Sequence, residues 1–248
     1  MPDEAGVQGR VVLLTGASGG IGGALGRRLI AAGARVAFTY GEHAEDAERL
    51  VAEAGEAGLD AIALAGDLAD PAVPARLAEE TTAALGPVEI LVANAGHSAR
   101  REYAKVDLAT WDRTLAVNLR APFLLAQAVL PGMTERGWGR VLFMSSVAAF
   151  TGGVIGPHYA ASKAGLHGLL HFLASRVAAQ GVTVNAVAPA LIENTGMLPA
   201  GDGDAPALPI PVGRYGRPEE VADLSMAVLR NGYLTNQVLG LDGGIHPR

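Results

Sequence analysis

Tyr159 and Lys163 stand four residues apart, and Ser146 lies thirteen residues before the tyrosine. On a helix, positions i and i+4 share a face, so one ammonium can lie beside one phenol. A phenol is a poor acid near neutrality, with a free pKa of about 10. A neighbouring cation stabilises the phenolate and lowers that value, which predicts a side chain able to trade protons near physiological pH. An isolated pair of this kind is more often a plain helix surface. A second constellation near the amino end gives this one weight.

Residues 10–15, Arg-Val-Val-Leu-Leu-Thr, form a short apolar run suited to a buried strand. Thr15-Gly16-Ala17-Ser18-Gly19-Gly20-Ile21-Gly22 follows directly. Leu25, Leu29 and Ala32 then recur at helical spacing, Gly33 stops the helix, and residues 35–40 read as the next strand. Strand, glycine turn, helix and strand form the setting of a phosphate-binding loop. Glycines let the backbone approach a pyrophosphate, and free amides at the helix start favour its charge. The competing reading is a tight turn without a ligand, and the flanking βαβ context favours a dinucleotide.

Together these residues resemble the short-chain dehydrogenase/reductase family. Residues 15–22 are similar to its TGxxxGxG cofactor motif, and Ala93-Asn94-Ala95-Gly96 to its Asn-Asn-Ala-Gly motif, with Ala93 in place of the first Asn. Asn118, Ser146, Tyr159 and Lys163 fall on its catalytic tetrad. The run 159–165 and the ending Leu241-Asp242-Gly243-Gly244 resemble the bacterial 3-oxoacyl-thioester reductases most. The resemblance, from about residue 10 to residue 244, implies hydride transfer between a nicotinamide and a carbonyl. In that scheme Tyr159 donates the proton and Lys163 lowers its pKa and holds the nicotinamide ribose. Ser146 hydrogen-bonds the substrate oxygen; Ser145 competes for the role, but the family's offset to Tyr159 favours Ser146. Asn118 bends its helix and holds a water.

The same resemblance implies the cofactor contacts: Gly16, Ser18, Gly19, Gly20, Ile21 and Gly22 at the phosphates, and Asp67 with Leu68 at the adenine. Asn94, Ala95 and Gly96 fall on the ribose side. Pro189, Ala190, Ile192 and Thr195 fall near the nicotinamide. Ala190 replaces the usual Gly, and Asn194 stands where a Thr is expected, with Thr195 next. Tyr40 occupies the place where NAD-using relatives carry Asp, which favours NADP(H) over NAD(H). The basic residues that often accompany NADP are absent: Gly20 and Gly41 stand at those positions, and His43 is the nearest substitute.

The elements that must position these residues alternate. Strands are expected at 10–15, 35–40, 60–65, 88–93, 140–145, 183–188 and 237–241. Helices are expected at 45–57, 73–85, 109–135, 159–180 and 218–231. This predicts an α/β fold of Rossmann type, doubly wound, with a mostly parallel seven-stranded sheet covered on both faces. One domain spans 10–248 after an extension at 1–9. The stretch 191–212 reads as a substrate lid with Leu191, Ile192, Met197 and Leu198 beneath it, at the sheet edge where such folds bind ligands.

Composition narrows the classes. The chain has 248 residues, 50 % of them hydrophobic, enough for one large core. A net charge of −6 gives no electrostatic reason to expect nucleic acid. There is no cysteine, so disulfide and thiolate chemistry are excluded, and no metal centre is expected. No apolar run looks long enough to span a bilayer, and no signal-peptide core is seen, which predicts a cytoplasmic protein without a membrane partner.

The leading expectation is an NADP(H)-dependent ketone reductase, with a 3-oxoacyl thioester as one candidate substrate. Its rivals are a dehydrogenase of a sugar, polycyclic or other secondary alcohol, and a cofactor-binding sensor without turnover. His97, Arg100, Phe150, Val154, Ile155 and His158 are candidate pocket residues. Carrier-protein-dependent relatives dock an acidic partner on basic residues, where this chain has Gly137 and Gln180, with Arg136 beside the first. That weakens an acyl carrier protein as partner. The resemblance also implies a homotetramer built on the helices of Asn118 and Tyr159.

Overall fold

Seven runs rich in Val, Leu, Ile and Ala lie side by side in one sheet of order β3-β2-β1-β4-β5-β6-β7, every pairing parallel. In this computed structural model, residues 6–195 and 210–246 are described. The strands are β1 (Val11–Leu14), β2 (Arg35–Tyr40), β3 (Ala61–Ala65), β4 (Ile90–Ala93), β5 (Gly139–Met144), β6 (Val182–Pro189) and β7 (Val238–Leu241). Each falls within a residue or two of its expected range. The central strands β1, β4, β5 and β6 are buried along their whole length, as a sheet covered on both faces requires.

Alternation along the strands sorts the core into two layers. Val12 and Leu14 of β1 pack with Leu25 and Leu29 of α1 (Gly20–Ala31), Leu50 of α2 (Ala44–Glu56) and Met226 and Leu229 of α8 (Pro218–Arg230). Val11 and Leu13 face the other way. They join Leu85 of α3 (Val73–Leu85), Leu125 and Met133 of α5 (Ala121–Glu135) and Leu166 and Leu170 of α7 (Pro157–Val177). The chain runs outward from β1 to β3, then crosses back to β4. Strand order therefore reverses between β1 and β4, the place where open sheets of this kind leave a crevice.

Three local departures from the sequence reading matter for the site. The helix expected over 109–135 comes in pieces. Asp107 caps α4 (Leu108–Leu115) by accepting from the Thr110 amide at 2.7 Å, then a π-turn takes Ala116–Arg120, then α5 follows. The helix of Tyr159 starts two residues early, at Pro157, whose fixed φ and missing N–H suit a first helical position. A short helix α6 (Ala148–Thr151), not anticipated, begins two residues after Ser146.

The expectation that no run could span a bilayer needs correcting. Leu108–Glu135 is 28 residues long and passes by length and composition, with a mean hydropathy of 1.2 in its best window. Half of that window is buried inside the fold, which is the pattern of a core helix. Of the expected lid, residues 196–209, with Met197 and Leu198, lie outside the described residues. Ile192 is buried, and Glu193 with Gly216 ties the two flanks of that segment together through a 2.9 Å backbone bond.

Candidate active site

The carboxyl ends of β1, β4 and β5 meet at one edge of the sheet, and hydroxyl and amide side chains fasten them there. Thr15 donates its backbone N–H to Val92 O at 3.0 Å, and its hydroxyl accepts from the amides of Asn94 and Ala95, both at 3.1 Å. Asn94 Nδ2 donates to the carbonyls of Thr15 and Gly16, each at 3.0 Å. The side chain of Asn94 therefore holds the glycine turn, beside the ribose position the resemblance gave it. The sequence signal for this work of Thr15 is a hydroxyl that ends an apolar strand.

Two glycines in that turn have no substitute. Gly16 has φ of +69°, and a Cβ there would stand 2.8 Å from Ala95 Cα. A Cβ at Gly22 would stand 2.0 Å from Gly16 O. Gly19 gives α1 no side-chain cap, and no acidic residue occupies its first turn. A helix start of that composition favours an anionic group. Gly20 lies against the segment after β6, where a Cβ would meet Asn194 O at 2.3 Å. In that segment Thr195 Oγ1 donates to Ile192 O at 3.0 Å, and Ala190 N donates to Leu241 O at 3.0 Å.

At the adenine end of the expected groove, Tyr40 is half-buried where β2 stops, and its carbonyl accepts from Gly66 N at 2.9 Å. Asp67 is both turn former and ion-pair partner. It accepts from the Ala69 amide at 3.0 Å and from Arg113 Nη1 at 3.2 Å. The Ala69 amide first, and then the Arg113 guanidinium, hold its carboxyl below the usual range. Leu68 beside it is buried.

The tetrad residues come together, each at most 9 % exposed. Ser146, and not Ser145, is hydrogen-bonded to the Tyr159 side chain. The Ser146 oxygen also accepts from Ala148 N at 3.2 Å, so α6 helps fix it. Ser145 belongs to the scaffold: its hydroxyl lies 3.3 Å from Lys163 O and 2.8 Å from His167 Nε2. Asn118 sits in the π-turn, where Nδ2 donates to His97 O at 2.9 Å and to Ser162 Oγ at 3.0 Å, and Oδ1 accepts from His97 N at 2.7 Å. Ser162 in turn donates to Tyr159 O at 2.8 Å. The bend that the resemblance implied at Asn118 is thus a wide turn that lets its amide reach two elements at once.

The expected acidity of Tyr159 is not what the structure gives. Lys163 Nζ lies 5.7 Å from the Tyr159 ring centroid and donates to Met144 O at 2.7 Å. Burial pushes the phenol up to about 12, with only a partial opposing effect from Ser146. Burial also pushes Lys163 down to about 8. Desolvation disfavours both charged forms and outweighs their mutual attraction at this separation. At neutral pH the phenol keeps its proton and is a donor.

The candidate pocket residues divide. His97 borders the site, its imidazole shifted down by burial and then by the positive charge of Arg113. Val154 is exposed. His158 does not line an open pocket: it is wholly buried and bonded to Ala99 O. Phe150 lies between two imidazoles, 4.8 Å from His167 and 5.4 Å from His246.

Residues 10–203 match the family model described as short chain dehydrogenase. The chain is 36 % identical to nodulation protein G of Azospirillum brasilense over 241 residues, covering 96 % of this chain and 98 % of that one. It is 35 % identical to acetoacetyl-CoA reductase of Cupriavidus necator (96 % and 98 % covered). It is 36 % identical to a 3-oxoacyl-(acyl-carrier-protein) reductase of Aquifex aeolicus (98 % and 99 % covered). Among solved structures, a blue fluorescent protein from a metagenomic library, in complex with NADPH, superposes with a TM-score of 0.90 at 36 % identity, covering 98 % of this chain and all of that one. A short chain dehydrogenase from Burkholderia cenocepacia in complex with NADP gives 0.88 at 36 % identity (96 % and 98 % covered). Sequence and fold agree along nearly the whole length, and the chain belongs to the short-chain dehydrogenase/reductase family of oxidoreductases.

Proposed function

We propose that the protein is an NADP(H)-dependent ketone reductase that turns a 3-oxoacyl thioester into its secondary alcohol. The observation that carries this reading is the buried cluster of Tyr159, Ser146 and Lys163 at the edge where the glycine turn also lies. The turn suits a dinucleotide on its own geometry. Gly16 and Gly22 pack where no side chain fits, and the uncapped start of α1 favours a pyrophosphate.

With the glycine turn holding its pyrophosphate, a nicotinamide cofactor would supply the hydride. Tyr159, neutral because it is buried, gives its proton to the carbonyl oxygen. Ser146 donates a hydrogen bond to the same oxygen as negative charge grows there. Lys163, already shifted towards its neutral form, replaces the proton as Tyr159 recovers. A phenol held protonated fits reduction better than oxidation, which needs phenolate first.

Tyr40 at the end of β2 carries no carboxylate to repel a 2′-phosphate, and similar structures hold NADPH and NADP. Relatives named for acetoacetyl-CoA and for carrier-bound 3-oxoacyl groups support the thioester. Arg136 is exposed and donates to Val88 O at 2.8 Å, but Gly137 beside it and Gln180 carry no charge, so the basic patch offered to an acidic carrier is thin. A coenzyme A thioester therefore fits better than a carrier-bound one. The groove beside α4 and α7 is lined by half-buried Leu115, Leu119 and Leu169 and exposed Phe123, a face suited to a second copy in a homotetramer.

NADPH absorbance with acetoacetyl-CoA tests the reading. Turnover that falls about 10²- to 10⁴-fold in Tyr159→Phe, with NADPH affinity retained, is the expected outcome. Near wild-type turnover in that variant removes the mechanism, and NADPH binding without turnover on any ketone favours a sensor.

A further inference from the structure

His158 precedes Tyr159 in the chain, yet none of it reaches solvent. Its Nε2 lies 2.9 Å from Ala99 O, and because a carbonyl only accepts, Nε2 carries the proton. Nδ1 is buried with no hydrogen-bond partner among the described residues. Burying a polar atom in that way is unfavourable, and an apolar side chain of similar size would avoid it. The histidine is therefore explained by its one bond, to the loop that leaves β4.

That loop is held at three points. Asn118 grips both the N–H and the carbonyl of His97, at 2.7 and 2.9 Å. His158 grips Ala99. Arg101 N donates to Ile155 O at 2.9 Å, just before α7. The fit is close on the far side as well: a Cβ at Gly156 would stand 2.7 Å from His158 Cε1 and 2.8 Å from Arg101 O. The loop leaves the same sheet edge that presents Ser146 and Tyr159, so it borders any ketone seated between them.

We propose that His158 is a positioning residue for substrate recognition. It locks residues 97–101 to the first turn of α7, so that one wall of the substrate cleft and Tyr159 keep a fixed spacing. The proposal rests on the ketone-reductase reading for its kinetic arm only.

The test compares His158→Phe, which keeps a ring and loses the donor, with His158→Gln, whose amide nitrogen reaches about where Nε2 does. Steady-state kinetics with acetoacetyl-CoA and NADPH are run beside amide hydrogen exchange of the full chain. In His158→Phe, KM for acetoacetyl-CoA is expected to rise about tenfold while kcat changes less than about threefold and the NADPH Kd less than about twofold. Exchange at the Arg101 amide is expected to accelerate at least about tenfold. His158→Gln restores all of these. If His158→Phe does not fold, His158→Asn, polar but too short to reach Ala99, takes its place. Unchanged exchange at Arg101, or ketone KM and NADPH Kd rising together, overturns the proposal. If the wild type does not turn over acetoacetyl-CoA, the functional reading fails, and the exchange arm alone decides whether His158 holds the loop.

Discussion

Strand β5 has a buried cation at each end, and the two are treated differently. At its amino end, the Arg140 guanidinium donates to the carbonyls of Leu229, Gly139 and Gly181, at 3.2, 2.8 and 3.4 Å. It also lies 4.5 Å from the Trp138 ring centroid, and Arg10, paired with Glu89, covers that ring at 3.9 Å. At the carboxyl end, the Lys163 ammonium gives one bond to Met144 O. Burial lowers the pKa of both groups, and it brings that of the lysine down to about 8. A guanidinium with Nε and Nη1 bonded to three carbonyls and a ring against its face serves stability. An ammonium with donors in reserve is poised to lose its proton and to meet a ligand.

Substitution at each end separates the two roles. Lys163→Met is expected to cut ketone reduction at least about 10²-fold, because the proton relay loses its second member. Chemical denaturation of the same variant at pH 7 is expected to show unchanged or higher stability, since replacing a buried charge with an apolar chain is often neutral or favourable. Clear destabilisation with turnover intact would merge the two ends into one structural role.

A pH series sharpens the contrast. Folded Lys163 loses its proton near pH 8, whereas unfolded lysine keeps it to about 10.5. Between those values the unfolded chain binds more protons, so this group makes stability climb with pH. The gain from pH 7 to pH 10.5 is on the order of 3 kcal/mol, read as the difference between wild type and Lys163→Met. Tyr159 acts oppositely above pH 10, because the folded phenol holds its proton to about 12, and stability falls there. A difference between the two proteins that stays flat across this range would show that Lys163 titrates normally.

Arg140→Met at the other end is expected to cost about 2 to 3 kcal/mol, the value of charge-assisted bonds whose carbonyls are left bare, with kcat and KM unchanged. Urea melts and steady-state kinetics check both halves. The smallest effect belongs to Arg113→Ala. Its pair with Asp67 is exposed on both sides, so a melt is expected to move by less than about 1 kcal/mol.

Most of the scaffold was readable because period and punctuation are local. Short apolar runs and glycine turns placed all seven strands, and their alternation with helices pointed to a parallel sheet, while the strand order comes from the structure. That Asn118, Ser146, Tyr159 and Lys163 would gather in one buried cluster was readable because their residue types and offsets are rare in combination. The rest depended on contacts distant in sequence. Nothing near Asn94 announces that its amide closes on Thr15 and Gly16, nearly eighty residues away. The pair Tyr159 and Lys163 was placed correctly and its electrostatics wrongly, because the sequence gives spacing and not dehydration. His158 looked like a pocket residue because its chain position touches the site, although its ring turns inward.

The π-turn at Ala116–Arg120 carries one residue more than an ordinary helical turn of the same rise. It therefore absorbs an extra residue while keeping the two halves of a rod that runs from Leu108 to Glu135 in step. Deleting any one residue of the five would let the rod wind as a regular α-helix with its two halves still nearly in phase, and only the widened turn would be lost. Length and apolar character would survive, and Asn118 would no longer meet both His97 and Ser162. At this point of the chain the count of residues matters as much as their identity.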